Sequence, residues 1–224
     1  MDGWRVVAAW LASLVALADG TGAQDREYDL RVLPAEHQHM TDPQTGAELT
    51  FLTTDPAPDA NLYFHERSWL ADESMVIFTS QRQGGGLMGY LTGTGELVQI
   101  TTPSGGVGQA TASLDRRSVF AVRGKDVLEI SFRIELSADP QTAPSKVRAT
   151  EHHIATPPFA SLNSSLNQSC DGQWLSLGFG GYGAGDAGIL IIRVADGATR
   201  EVCRAGIHPA SPATSSGAVP IRTC

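Results

Sequence analysis

Beyond residue 23 the apolar residues fall in short runs or alternate with polar ones, and no stretch holds them at helical spacing for three turns. Alternation buries one face of a strand. The pattern predicts strands near Leu49–Thr53, Leu62–Leu70, Met75–Thr79, Gly89–Thr92, Leu97–Thr101, Ser118–Val122, Val127–Ile134, Lys146–His153, Trp174–Phe179, Gly188–Val194 and Arg200–Cys203. Two elements recur along this series. Trp69–Phe78, Ala112–Ala121 and Gln168–Leu177 each place an aspartate (Asp72, Asp115, Asp171) in a polar turn before an apolar strand, where its carboxylate can accept from the turn's amides. Thr45–Thr53 matches Thr94–Thr101, a turn feeding a strand that ends in Thr, and Asp196–Cys203 is a weaker copy. One unit therefore runs strand, Asp turn, strand, Gly-rich loop, strand, Gly turn, strand. That is the four-stranded antiparallel blade of a β-propeller, so the expected fold is all-β with about three blades, fewer than a closed ring needs.

Composition agrees with this picture and narrows function. With 224 residues, 42% hydrophobic content, 24 Gly and 12 Pro, the chain can bury a sizeable core and favours turns over long helices. A net charge of −8 leaves no basic footprint for nucleic acid or for an anionic membrane. Residues 1–23 read as a secretory signal peptide: an apolar run from Val6 to Ala18 is too short to span a bilayer and ends in the small residues Thr21, Gly22 and Ala23. A secreted or periplasmic protein without a membrane anchor after cleavage is expected. Residues 24–205 form the partial propeller, and 206–224 read as an irregular Pro/Ser/Ala-rich tail. Of three cysteines, Cys170 and Cys203 can pair, leaving Cys224, and no spacing matches a zinc or redox motif. Asn163 and Asn167 each begin an N-glycosylation acceptor pattern.

From Asp42 to about Cys203 the chain resembles the oligogalacturonate lyases, secreted or periplasmic seven-bladed propellers that degrade short pectin fragments. The resemblance rests on Asp42–Thr53 with its D-x-x-T-G turn, the run Asn61–Phe64, Val76–Arg82 and Thr94–Thr101. It implies β-elimination on uronate oligosaccharides. A base removes the proton next to the uronate carboxylate, the glycosidic oxygen leaves, and charge building on the carboxylate is neutralised by a metal or Arg. The family is thought to use a His base and a manganese held by further His and a Gln. By position those residues belong to later blades, so the resemblance carries over no catalytic residue and no metal ligand. Where the family tends to have His-Arg-Asn, this chain has Asp59-Ala60-Asn61. The alternative reading is a non-catalytic secreted propeller that binds a protein or glycan.

Candidate substrate-binding residues are His65 and Arg67, polar groups between the apolar Phe64 and Trp69 at a blade's inner end, and Arg82, whose fork suits a uronate carboxylate but equally a tie between blades. His37 and His39 are spaced to share a strand face, a usable metal geometry, but sit in a polar segment before the first clear strand and read as surface histidines, whereas the adjacent His152 and His153 point to opposite faces. His208 precedes the tail, and no phosphate-binding loop or nucleophile elbow is present.

Overall fold

The computed structural model describes residues 25–82, 85–100, 105–159, 161–162, 165–180 and 187–204. The expected signal peptide, the tail with His208 and Cys224, and the Asn163 acceptor lie outside the described residues. Those described form sixteen strands and no helix.

In chain order the strands are β1 (Arg26–Asp29), β2 (Arg31–Leu33), β3 (Gln38–Thr41), β4 (Glu48–Phe51), β5 (Asp59–Asn61), β6 (Met75–Ser80), β7 (Gly86–Leu91), β8 (Leu97–Ile100), β9 (Ala110–Ala112), β10 (Ser118–Arg123), β11 (Asp126–Glu135), β12 (Lys146–Ala155), β13 (Asn167–Gln168), β14 (Trp174–Phe179), β15 (Gly188–Arg193) and β16 (Thr199–Arg204). β5 to β8, β9 to β12 and β13 to β16 are three antiparallel meanders, the blades, each running from an inner first strand to an outer fourth. β2 adds to β8 and β1 to β12, so the segment Arg26–Leu33 straps the outer edges of blades 1 and 2. β3 and β4 stand as a separate hairpin.

Period-two alternation explains the stacking of the blades. Along β6, Met75 and Ile77 face blade 2 while Val76 and Phe78 face the other side, where Leu33 and Leu52 pack. Blade 2 is covered on both sides: Val119 and Ala121 join the core with blade 1, and Phe120 and Val122 join the core with Leu175, Leu177, Leu190 and Ile192 of blade 3. A strand buried on both faces reads as a continuous apolar run, as Ser118–Arg123 does.

The aspartate turns are as expected. Asp72 accepts from Ser74 N–H and Oγ–H, and Asp171 from Ser169 Oγ–H and Gln173 N–H. They also tie blades together. Arg117 Nε donates to Asp72 at 2.6 Å, and the amide of Leu114, beside Asp115, donates to Gln168 Oε1 at 2.7 Å. Burial opposes ionisation of Asp72, but its bonds from Ser74 and Arg117 outweigh that and hold its carboxyl below the ordinary range. A second tie joins blades 1 and 2 at the outer side: the buried Glu96 accepts from the amide and hydroxyl of Ser145.

One expected strand is corrected. Leu62–Leu70 is an irregular segment with one tight turn at Tyr63–Glu66 and a single bridge at Trp69, because only Leu62 and Leu70 are buried, while Tyr63, Phe64 and Trp69 are 56, 72 and 50% exposed. Cys170 and Cys203 form no disulfide. Cys170 follows the innermost strand of blade 3 and Cys203 lies on the outermost, three strand spacings or roughly 14 Å apart, twice what a disulfide spans.

Candidate functional site

The connection from β5 to β6 crosses the inner rim of the stack. Leu62 and Leu70 peg its ends into the core between blades 1 and 2. Arg67 N–H donates to Thr111 Oγ1 at 3.0 Å and Arg67 C=O accepts from Ala112 N–H at 2.9 Å, so the segment lies along β9, the first strand of blade 2. Glu66 accepts from the amide of Leu166, just before the first strand of blade 3. Through Leu62, Glu66, Arg67 and Leu70 this segment touches the inner strands or their approaches in all three blades.

The tip of this segment is a tight turn. Tyr63 N–H donates to Glu66 Oε2 at 3.0 Å, and Glu66 N–H donates to Tyr63 C=O at 2.7 Å. Burial pushes the Glu66 carboxyl up, more than the bonds from Tyr63 and Leu166 and the charge of His65 pull it down. Three consecutive rings project from the turn: Tyr63 and Phe64 centroids are 4.4 Å apart, Phe64 and His65 3.8 Å. Exposed aromatic faces of this kind, with the Arg67 guanidinium close in sequence and in no ion pair among the described residues, suit a ligand that has both apolar C–H faces and carboxylates.

Arg82 sits elsewhere. It follows β6, whose residues Val76 to Phe78 pair with the flanks of this turn, so Arg82 lies four to five residues further along the strand direction, about 15 Å at 3.3 Å per residue. Its guanidinium is shared by two carboxylates: Nη1 and Nη2 bind Glu36 at 2.5 and 2.9 Å, and Nη2 binds Asp59 at 3.2 Å. Glu36 also accepts from the amides of Thr54 and Asp55. The Arg82 bond, aided by those amides, holds the Glu36 carboxyl below its usual range despite partial burial. The structure therefore places His65 and Arg67 on one segment at the inner rim and puts Arg82 in a tie between β5 and the segment leading to β3.

The remaining histidines are dispersed. The His37 and His39 rings lie 5.0 Å apart, and His39 Nδ1 is bonded to Thr50 Oγ1 at 3.0 Å. His152 binds Asp25, and His153 binds Thr156, on opposite sides of β12. Among the described residues no group of three or more His, Cys, Asp or Glu converges as metal ligands. The feature that sequence reasoning missed is the Tyr63–Phe64 platform, because the L-Y-F run had the composition of a strand.

No family model matches this sequence, and no curated protein matches it. Solved structures do match in fold. An oligogalacturonate lyase in complex with manganese superposes with a TM-score of 0.57 at 15% identity, covering 78% of this chain and 48% of that one. Oligogalacturonate lyase from Vibrio parahaemolyticus superposes with a TM-score of 0.59 at 14% identity, covering 79% of this chain and 49% of that one. The chain thus has the β-propeller fold of the oligogalacturonate lyases, resembles them along most of its own length, and spans about half of theirs.

Proposed function

We propose that this chain is an oligogalacturonate-lyase-like secreted or periplasmic propeller protein of pectin-fragment degradation, and that its described blades bind the uronate oligosaccharide at the Tyr63–Arg67 turn. The observation that carries the reading is the exposed Tyr63–Phe64–His65 turn, its rings in tilted contact, bonded along the inner strands of a lyase-type fold. Phe64 and Tyr63 would take the C–H face of a sugar ring, and Arg67 the carboxylate of a neighbouring uronate. The half-buried Glu66 holds the turn closed by bonds to two backbone amides.

β-Elimination further requires a base and a group that neutralises the uronate carboxylate. Manganese is the metal the lyase likeness implies. The described residues do not fit it, since no three His, Cys, Asp or Glu side chains among them converge, and the His37–His39 pair has no third ligand. No step is drawn through a metal for these blades. A non-catalytic propeller that binds the same glycan would use the same turn and differ only in turnover.

The test follows unsaturated-uronate absorbance, its loss as well as its gain, when the protein is mixed with a series of oligogalacturonates with and without manganese, alongside a direct binding titration. Binding with metal-dependent turnover supports the lyase reading, and binding without turnover favours the glycan-binding module. A folded protein that neither binds nor turns over these oligosaccharides overturns both.

A further inference from the structure

The Tyr63–Glu66 turn is closed from both ends by one residue. Glu66 N–H donates to Tyr63 C=O at 2.7 Å, and Tyr63 N–H donates to Glu66 Oε2 at 3.0 Å, so both bonds that span the three rings belong to Glu66. The same carboxylate accepts from the amide of Leu166, whose side chain is fully buried in the core between blades 2 and 3. The rest of the segment is anchored elsewhere: Leu62 and Leu70 in the core between blades 1 and 2, and Arg67 on Thr111 of β9. Glu66 is thus the group that bonds the ring-bearing turn to the approach of blade 3.

An ionised carboxylate accepts both amides through charge-assisted bonds. A neutral acid accepts them about half as strongly and brings an O–H that needs an acceptor of its own, where the turn offers donors. Loss of the charge therefore frees Tyr63 N–H, and with it the seat of the Tyr63 ring 4.4 Å from Phe64. The inner strands and their approaches bring no compensating charge: residues 101–112 and 156–168 contain no Asp, Glu, Lys, Arg or His, and Asp59 at the start of β5 is engaged by Arg82. The charged and titratable neighbours are His65 and Arg67 of the segment itself. Burial outweighs the two amides and the charge of His65, so Glu66 takes up its proton at a higher pH than an ordinary glutamate.

We propose that Glu66 is the positioning residue of the Tyr63–Arg67 turn, and that the turn binds uronate oligosaccharides at full affinity only while this carboxylate is ionised and bonded to Tyr63 and Leu166. The inference rests on the glycan reading above and gives that site a pH dependence of definite sign. Acid puts positive charge on an imidazole such as that of His65, which by itself strengthens the hold on a carboxylate ligand, and Arg67 keeps its charge throughout. Glu66 acts in the opposite sense. Affinity falls as its carboxylate is protonated, because the ring platform comes loose from blade 3.

Two measurements on the full chain test this. Trigalacturonate affinity is measured from about pH 8 to about pH 4.5, where uronate carboxylates stay largely ionised, and the amide NMR shifts of Tyr63 and Leu166 are followed over the same range without glycan. Affinity is expected to fall about fivefold on acidification, and the two amides to titrate together with a shared midpoint above 4.5, the ordinary glutamate value. Glu66→Gln is expected to bind at every pH with about the weakened affinity of acidified wild type, with neither amide titrating and an unchanged circular dichroism spectrum. Folded wild type that binds no trigalacturonate at pH 7 overturns the glycan reading and this inference with it. Binding at pH 7 that Glu66→Gln leaves within about twofold of wild type, or Tyr63 and Leu166 amides that do not titrate together, overturns the inference alone.

Discussion

Replacing Arg82 by Met removes the centre of a three-carboxylate-oxygen contact while keeping the side chain's apolar bulk. Arg82 is 12% exposed, and its partners Glu36 and Asp59 are 25 and 15% exposed. Three charge-assisted bonds at 2.5, 2.9 and 3.2 Å are lost, and two carboxylates are left partly buried without a cation. Hydrogen bonds to charged groups are worth about 1.5–3 kcal/mol each net, and breaking a fully buried pair costs about 3–5 kcal/mol. The exposure of Glu36 and the release of the desolvated guanidinium reduce this, so a loss of about 2–3 kcal/mol at pH 7 is expected. The effect has a pH signature. Because Arg82 holds the Glu36 carboxyl below its ordinary value, the pair's contribution is fully present above pH 4.5 and fades as pH falls through the lowered value. Urea unfolding of wild type and Arg82→Met at pH 7 and pH 3 should show the gap shrinking in acid. A gap below about 0.5 kcal/mol at pH 7, or one equally large at both pH values, would refute the reasoning. If Arg82 is a tie and not a uronate contact, glycan affinity of the folded variant stays within about twofold of wild type.

Other perturbations have distinct expected outcomes. Glu96→Ala strips the acceptors from the amide and hydroxyl of Ser145 and should cost about 2–4 kcal/mol in urea unfolding, with Glu96→Ala/Ser145→Ala costing less than the sum of the singles. Tyr28 Oη is buried without a partner, and burial with the nearby Glu151 pushes its pKa up to about 12. Wild-type stability should therefore fall as pH rises from about 10 to 12, while Tyr28→Phe should be neutral or stabilising at pH 7 and lose that alkaline slope. Gly46→Ala meets nothing within 4 Å and should cost about 1–2 kcal/mol for its φ of +74° alone, whereas Gly197→Ala would put a Cβ 2.0 Å from Ile154 C=O and should cost clearly more by thermal melting.

Much of the fold was legible because the middle and outer strands carry their own pattern. Met75–Ser80, Ser118–Arg123 and Trp174–Phe179 alternate or run apolar, since they are packed between blades. The strands that escaped are Arg26–Asp29, Arg31–Leu33, Gln38–Thr41, Asp59–Asn61, Ala110–Ala112 and Asn167–Gln168, two to four residues each and mostly polar or small. Their extension is imposed by the ladder of the neighbouring strand, which is a tertiary effect that no local pattern records. Leu62–Leu70 failed in the opposite sense. Its aromatic residues suggested burial, but only the two leucines are pegs, and the rings between them are held outward by the Glu66 turn. The contact that places this turn on the inner rim, Arg67 to Thr111, spans 44 residues of sequence and is invisible to any window along the chain.

The central claim is tested most directly by titrating the full chain with trigalacturonate and watching the fluorescence of the half-exposed Trp69 region together with the heat of binding. The account predicts saturable binding that Phe64→Ala weakens about tenfold, by loss of roughly 1.4 kcal/mol of ring stacking, and that Arg67→Gln weakens for trigalacturonate but not for the uncharged galactose trimer. Binding unchanged by both substitutions in folded protein would contradict it.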